Sequence, residues 1–130
     1  MDKTNASLTE GLLGIPALKP ALITGSTYYE TLVDWAAGLD VFSNFGTKNT
    51  VDDARMQMGD PLHAEPALVQ YGGTIALPEL VAYTATNDRY LHAFDVTTGL
   101  EDFSFIPLEL LPKLSRVMED KRCAKSYGLD

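Results

Sequence analysis

The side chains best suited to chemistry lie in four places. His63 stands with Asp60 and Glu65 in Gly59-Asp60-Pro61-Leu62-His63-Ala64-Glu65. An imidazole and two carboxylates so close could converge as a metal or acid–base site. A metal-binding histidine usually comes with further ligands at defined spacing, so the sequence favours a turn that Asp60 caps and Pro61 stiffens. His92 alternates with Tyr90 and Phe94, which places it on one face of a strand as a partly buried, hydrogen-bonded side chain rather than a ligand. Cys123 sits in a charged stretch with no histidine or second cysteine close in sequence, so it reads as an incidental thiol, or one that pairs elsewhere. The segment from Asp40 to Arg55 is rich in Asn, Asp and Gly oxygens that suit calcium. Counted from Asp40, however, Phe42 and Val51 occupy ligand positions of an EF-hand loop, so it reads as a solvated loop. No Gly-x-Ser-x-Gly, P-loop or His-Glu-x-x-His pattern occurs. The sequence therefore assigns no catalytic, cofactor-binding or metal-binding residue and indicates no enzyme.

The elements that must hold these residues are short. Ser7 and Glu10 fit a capping box, and so do Thr27 and Glu30. Behind the second, Tyr28, Leu32, Trp35 and Ala36 recur at helical spacing, which predicts a helix from Tyr28 to Ala37 stopped by a positive-φ Gly38, with Trp35 packed. Pro16 and Pro20 favour an extended path to about Gly25. From Pro66 four apolar runs follow, Ala67–Tyr71, Leu80–Thr86, Tyr90–Asp95 and Leu100–Phe105, separated by turn residues: an antiparallel meander. Asp95 is expected to start an Asx-turn that Gly99 ends in the left-handed region, and Asn87-Asp88-Arg89 to form the tighter turn. Leu110, Leu111, Leu114, Val117 and Met118 make one apolar face of a helix expected to start near Pro112 and to end at Lys121, Arg122 and Lys125.

The 130 residues are 45% hydrophobic, which excludes a wholly disordered chain, and the net charge of −8 disfavours a nucleic-acid partner. No apolar stretch is long enough for a membrane-spanning helix, and the first residues lack a signal-peptide pattern.

The segment Thr84 to Gly99, with Asn87-Asp88-Arg89, Ala93-Phe94-Asp95 and Thr98-Gly99, resembles a blade repeat of quinoprotein-like β-propellers. Three flanking motifs narrow the resemblance. Val33-Asp34-Trp35-Ala36-Ala37-Gly38-Leu39-Asp40 looks like the Trp-x-x-Gly-x-Asp segment before the propeller of the type IV pilus tip-associated adhesin family (PilC/PilY type). Gly59-Asp60-Pro61-Leu62-His63-Ala64-Glu65-Pro66 looks like its Gly-Asp-x-x-His-Ser-x-Pro segment. Phe105-Ile106-Pro107-Leu108-Glu109-Leu110-Leu111-Pro112-Lys113-Leu114 resembles its Phe-x-Pro-x-x-Leu-Leu-Pro stretch after the blade. All four occur in the family's order over residues 33 to 114, and residues 1 to 26 add nothing. Arg89 departs from the usual turn glycine; if that position needs positive φ, Arg costs roughly 1 kcal/mol that Gly would not. Ala64 replaces a serine, and the family's Asp-rich calcium loop is not found in this sequence.

The resemblance implies a mainly β fold with short helices, a partial quinoprotein-like β-propeller of about one antiparallel blade. Residues 1–26 are then an irregular lead-in, 27–57 a short helix and polar loop, and 58–130 the first blade and following helix. A ring needs at least four blades of about 40–45 residues, so the expectation is a fragment of a larger protein. By resemblance that protein is exported, associates with pilin or pilus assembly proteins at the outer membrane or pilus, supports pilus biogenesis and binds host or abiotic surfaces. Calcium belongs, if anywhere, to other parts of it. Two other readings stay open. One is a fragment of a pyrroloquinoline-quinone dehydrogenase, whose docking motif wants a Trp where this chain has Phe103 and Phe105. The other is an assembly scaffold that binds partner strands at the edge Ala67–Tyr71.

Overall fold

The computed structural model describes residues 2–20, 22, 26–42, 54, 58–119 and 129. The chain divides into two compact units, Met1–Met58 with Leu111–Cys123, and Gly59–Leu110 with Ala124–Asp130.

The first unit is built on helix α1, Tyr28–Ala36. Its start is the expected capping box: Glu30 N–H donates to Thr27 Oγ1 at 3.2 Å, and Thr27 N–H donates to Glu30 Oε2 at 2.7 Å. Two orphan backbone donors are thereby satisfied. Gly38 follows at φ 94°, so the helix ends one residue earlier than its apolar pattern alone suggests. Tyr28, Leu32, Val33, Trp35 and Ala36 are buried, as the spacing requires.

The second helical region corrects the expectation. No α-helix begins at Pro112. Leu108–Lys113 is a 3₁₀ stretch with Pro112 inside it, and helix α2 covers Leu114–Glu119. Proline has no N–H to give an α-helical bond, and the tighter 3₁₀ turn tolerates it. The apolar face survives this change, because Leu111, Leu114 and Met118 are all buried and α2 packs against α1. The Ser7–Glu10 capping box also fails to form. The chain makes turns there, and it is the Thr9 hydroxyl that accepts from Leu12 N–H, at 3.2 Å.

Two ion pairs tie the N-terminal segment to the helices. Lys3 Nζ bridges both oxygens of the buried Asp34, at 2.9 and 3.0 Å. Glu119 pairs with Lys19 and accepts from Tyr28 Oη at 2.7 Å, while the Lys19 ammonium lies 5.1 Å from the Tyr28 ring centroid. Burial, and next the hydrogen bond to Glu119, push the Tyr28 phenol well above its ordinary range.

The second unit is a four-stranded antiparallel sheet in sequence order: β1 Ala67–Gly73, β2 Pro78–Ala85, β3 Leu91–Asp95 and β4 Glu101–Phe105. This is the expected meander, with strand ends shifted by one to two residues. The β1–β2 register slips at Tyr71, and that bulge lets Gly72 and Gly73 continue the strand. A second slip at Asp102 brings Glu101 opposite Phe94 and Phe103 opposite Ala93. The sheet is open, and ring closure is not seen. The polar loop at 40–55, the basic cluster at Lys121, Arg122 and Lys125, Cys123, and most of the path from Ala21 to Gly25 lie largely or wholly outside the described residues.

Candidate functional site

The turn between β2 and β3 organises the second unit. Thr86 N–H donates to Tyr90 C=O at 2.9 Å and Arg89 N–H to Thr86 C=O at 3.0 Å, closing a tight loop around Asn87-Asp88. Arg89 takes φ 83°, the left-handed conformation in which the family's glycine would be at ease. The residue is 2% exposed, guanidinium included.

This turn holds a second motif from far away in the sequence. Asp88 Oδ2 accepts from Gly59 N–H at 3.0 Å, Asn87 Oδ1 accepts from Asp60 N–H at 3.0 Å, and Asn87 N–H donates to Asp60 C=O at 3.1 Å. Asp88 Oδ1 also accepts from the Thr86 hydroxyl. The Gly-Asp segment and the Asn-Asp turn are thus two halves of one clamp. Gly59 is required there: a Cβ at that position would come 2.4 Å from the Asp88 carboxyl carbon. Leu129 N–H donates to Thr86 C=O at 3.2 Å and closes the clamp from the other end of the chain.

The other candidates fall differently. His63 is exposed in a bend, and Asp60 and Glu65 nearby are exposed as well. Among the described residues, no group of three His, Cys, Asp or Glu is placed to hold a metal ion. Asp60 acts through its backbone in the clamp. His92 is 7% exposed and lies between the rings of Tyr90 and Phe94, with centroids 5.5 and 5.8 Å away and planes within 24°. Its Nδ1 is 2.6 Å from Glu101 Oε1. An ionised carboxylate only accepts, so Nδ1 carries the proton. Across the strand, Thr84 Oγ1 and His92 Nε2 are both buried without a hydrogen-bond partner among the described residues. The Asx-turn at Asp95 forms as expected: Thr98 N–H donates to Asp95 Oδ1 at 2.7 Å, and Gly99 sits at φ 72°. The Thr98 amide holds the Asp95 carboxyl below the usual carboxylate range.

Two partnerships escaped the residue-by-residue reading. Asp88 reads locally as a turn residue, yet it anchors a segment 29 residues upstream. Glu101 becomes the partner of His92 because the β3–β4 turn and the bulge set the register. The ordered occurrence of the two motifs hinted at the first; no sequence signal marks the second.

The two faces of the sheet differ: the first is mixed, with Gln70, Thr84, His92 and Glu101 among its apolar residues, and the second is largely apolar. One carries Leu68, Leu80, Ala82, Tyr90 and Phe94; the other carries Val69, Tyr71, Val81, Tyr83, Phe103 and Phe105. On the second face Tyr71 is 65%, Phe103 50% and Phe105 54% exposed. Exposed rings grouped on one face mark a surface suited to being covered. Among the described residues no helix is long and apolar enough to cross a membrane.

Comparison with known proteins gives two similar sequences. The type IV pilus biogenesis factor PilY1 of Pseudomonas aeruginosa (strain UCBPP-PA14) is 29% identical over 105 residues, covering 65% of this chain and 8% of that protein. The PilY1 homolog of Xylella fastidiosa (strain Temecula1 / ATCC 700964) is 53% identical over 50 residues, covering 38% of this chain and 4% of that protein. The chain therefore spans less than a tenth of the length of either relative. No family profile matches the chain, and no solved structure does. The resemblance to PilY1-type proteins read from the four motifs is supported by both similarities.

Proposed function

We propose that this chain serves type IV pilus biogenesis as one blade, with its flanking helices, of a β-propeller scaffold. The observation that carries the reading is the antiparallel meander with one open aromatic face, in a chain similar to a PilY1 protein and a PilY1 homolog. A blade buries both faces against its neighbours, and the exposed Tyr71, Phe103 and Phe105 rings suit such a cover. The Gly59–Asp88 clamp supports the reading, since it joins two of the motifs that carry the family resemblance.

In this role the protein performs no reaction and needs no cofactor of its own. The clamp fixes the blade's entry segment, and the turns display loops for contact with pilus assembly proteins and with host or abiotic surfaces. The site of action is the pilus and cell surface.

The test is deletion of the coding sequence in its source, followed by counting surface pili by electron microscopy and measuring surface motility. Loss of pili, restored by the intact gene and not by a Gly59→Val form that breaks the clamp, is the expected result. Normal piliation in the deletion strain overturns the pilus reading. Dye reduction with pyrroloquinoline quinone and calcium by the purified protein would instead favour a dehydrogenase.

A further inference from the structure

The aromatic sheet face has an electrostatic character that its apolarity conceals. Tyr71 Oη and Tyr83 Oη are 2.6 Å apart, and Tyr83 meets Phe103 with centroids 6.2 Å apart and planes at 60°. Ala93 lies fully buried between Tyr83 and Phe103 in the cross-strand row, so two rings close over one small residue. The result is a continuous π surface running from β1 to β4.

The charges of the segment that builds the sheet are almost all of one sign. Residues 59–110 carry eight carboxylates and a single Lys or Arg, Arg89, whose side chain is buried. Asp102, thrown out of register by the β4 bulge, is exposed and lies next to Phe103 in the chain. The Tyr83 phenol is raised above its ordinary range, first by its hydrogen bond with Tyr71, then by burial and the Tyr71 oxygen, with Asp102 the smallest cause.

A π face in a negative field attracts a cation that brings its own apolar stem. An arginine suits this best, because its guanidinium stacks on rings while forking onto a carboxylate. A neutral apolar cover would leave the Asp102 charge near the rim of the buried surface without a counter-charge.

We propose that the face formed by Val69, Tyr71, Tyr83, Phe103 and Phe105 docks an adjoining sheet of the same longer protein that lays an arginine or lysine across the Tyr83–Phe103 rings toward Asp102. The inference rests on the blade reading above and adds the chemistry of the blade's neighbour. Electrostatic complementarity of this kind fixes which surface docks and in what register.

The test is site-specific photo-crosslinking in source cells, with p-benzoylphenylalanine at Phe103 and, in a second strain, at Tyr71. Both positions are exposed, so the probe is tolerated where a core substitution would not be. The crosslinked peptides are identified by mass spectrometry. The expected product joins Phe103 to a β-segment of the same polypeptide that carries Arg or Lys within two residues of the crosslink. Asp102→Lys should then lower the crosslink yield by about fivefold or more, whereas Glu65→Lys, the same charge change elsewhere, leaves it intact. A crosslink within the same polypeptide to a segment without a cation overturns the inference and leaves the blade reading standing. A crosslink to a different protein, or none at either position, overturns both.

Discussion

Replacing Asp88 by asparagine tests whether the clamp between Gly59 and the Asn-Asp turn holds the second unit together. Asp88 accepts from the Gly59 amide at 3.0 Å and from the Thr86 hydroxyl, and it is buried. Each hydrogen bond to a charged group is worth about 1.5–3 kcal/mol. Alanine removes both acceptors and would cost about 3–6 kcal/mol, comparable with the whole stability of a small domain, so it reports little beyond unfolding. Asparagine keeps one acceptor oxygen and nearly the same volume, so Asp88→Asn should cost about 1.5–3 kcal/mol. The assay is amide hydrogen exchange followed by NMR, which reads local opening without requiring the two units to unfold together. Exchange at Gly59 should speed up roughly 10- to 100-fold, while amides of α1 in the first unit stay unchanged. Gly59 exchange altered less than about threefold, with the sheet intact, would refute the reasoning and reduce the clamp to a contact without consequence.

Four further outcomes follow from the same coordinates. Leu114→Ala removes a fully buried side chain and should lower stability by about 2–5 kcal/mol in chemical denaturation followed by Trp35 fluorescence; a change under about 1 kcal/mol would mean that the first unit has no fixed core. Thr27→Ala breaks the capping box and should cost about 1 kcal/mol, seen as faster exchange in the first turn of α1; unchanged exchange there counts against the cap. Thr84→Val replaces a buried hydroxyl lacking a partner with a methyl of equal shape, so it should be neutral or raise the melting temperature, and a loss above about 1 kcal/mol would show that the hydroxyl is satisfied. The Asp95 carboxyl is lowered in the folded state, so its contribution is present above the ordinary carboxylate pKa and fades as pH falls through the lowered folded value; Asp95→Asn should flatten that acid limb of the stability profile, and an unchanged limb contradicts the Asx-turn's part in it.

Much of the fold was legible because its signals are local. The Thr27–Glu30 capping box, the 3.6 spacing of Tyr28, Leu32 and Trp35, and the four strand runs each state their element within ten residues of sequence. The Asp95 and Gly99 turn was legible for the same reason, since an Asx-turn is made by its own residues. Local signals also misled where two elements compete. Pro112 marks a helix start by rule, but the 3₁₀ stretch from Leu108 absorbs it and moves the α-helix to Leu114.

Sequence by itself determined the grammar of this protein: which runs are strands, which turns join them, and the order of motifs that resembles PilY1-type proteins. It could not determine partnership. That Asp88 reaches back to Gly59, that Glu101 meets His92, and that the Tyr71 and Tyr83 hydroxyls hydrogen-bond across strands depend on register and bulges. Those are set by the summed packing of the sheet, where a slip of one residue turns every side chain to the other face. The same packing buries Arg89 in a left-handed conformation, a placement no reading of residue 89 alone could give.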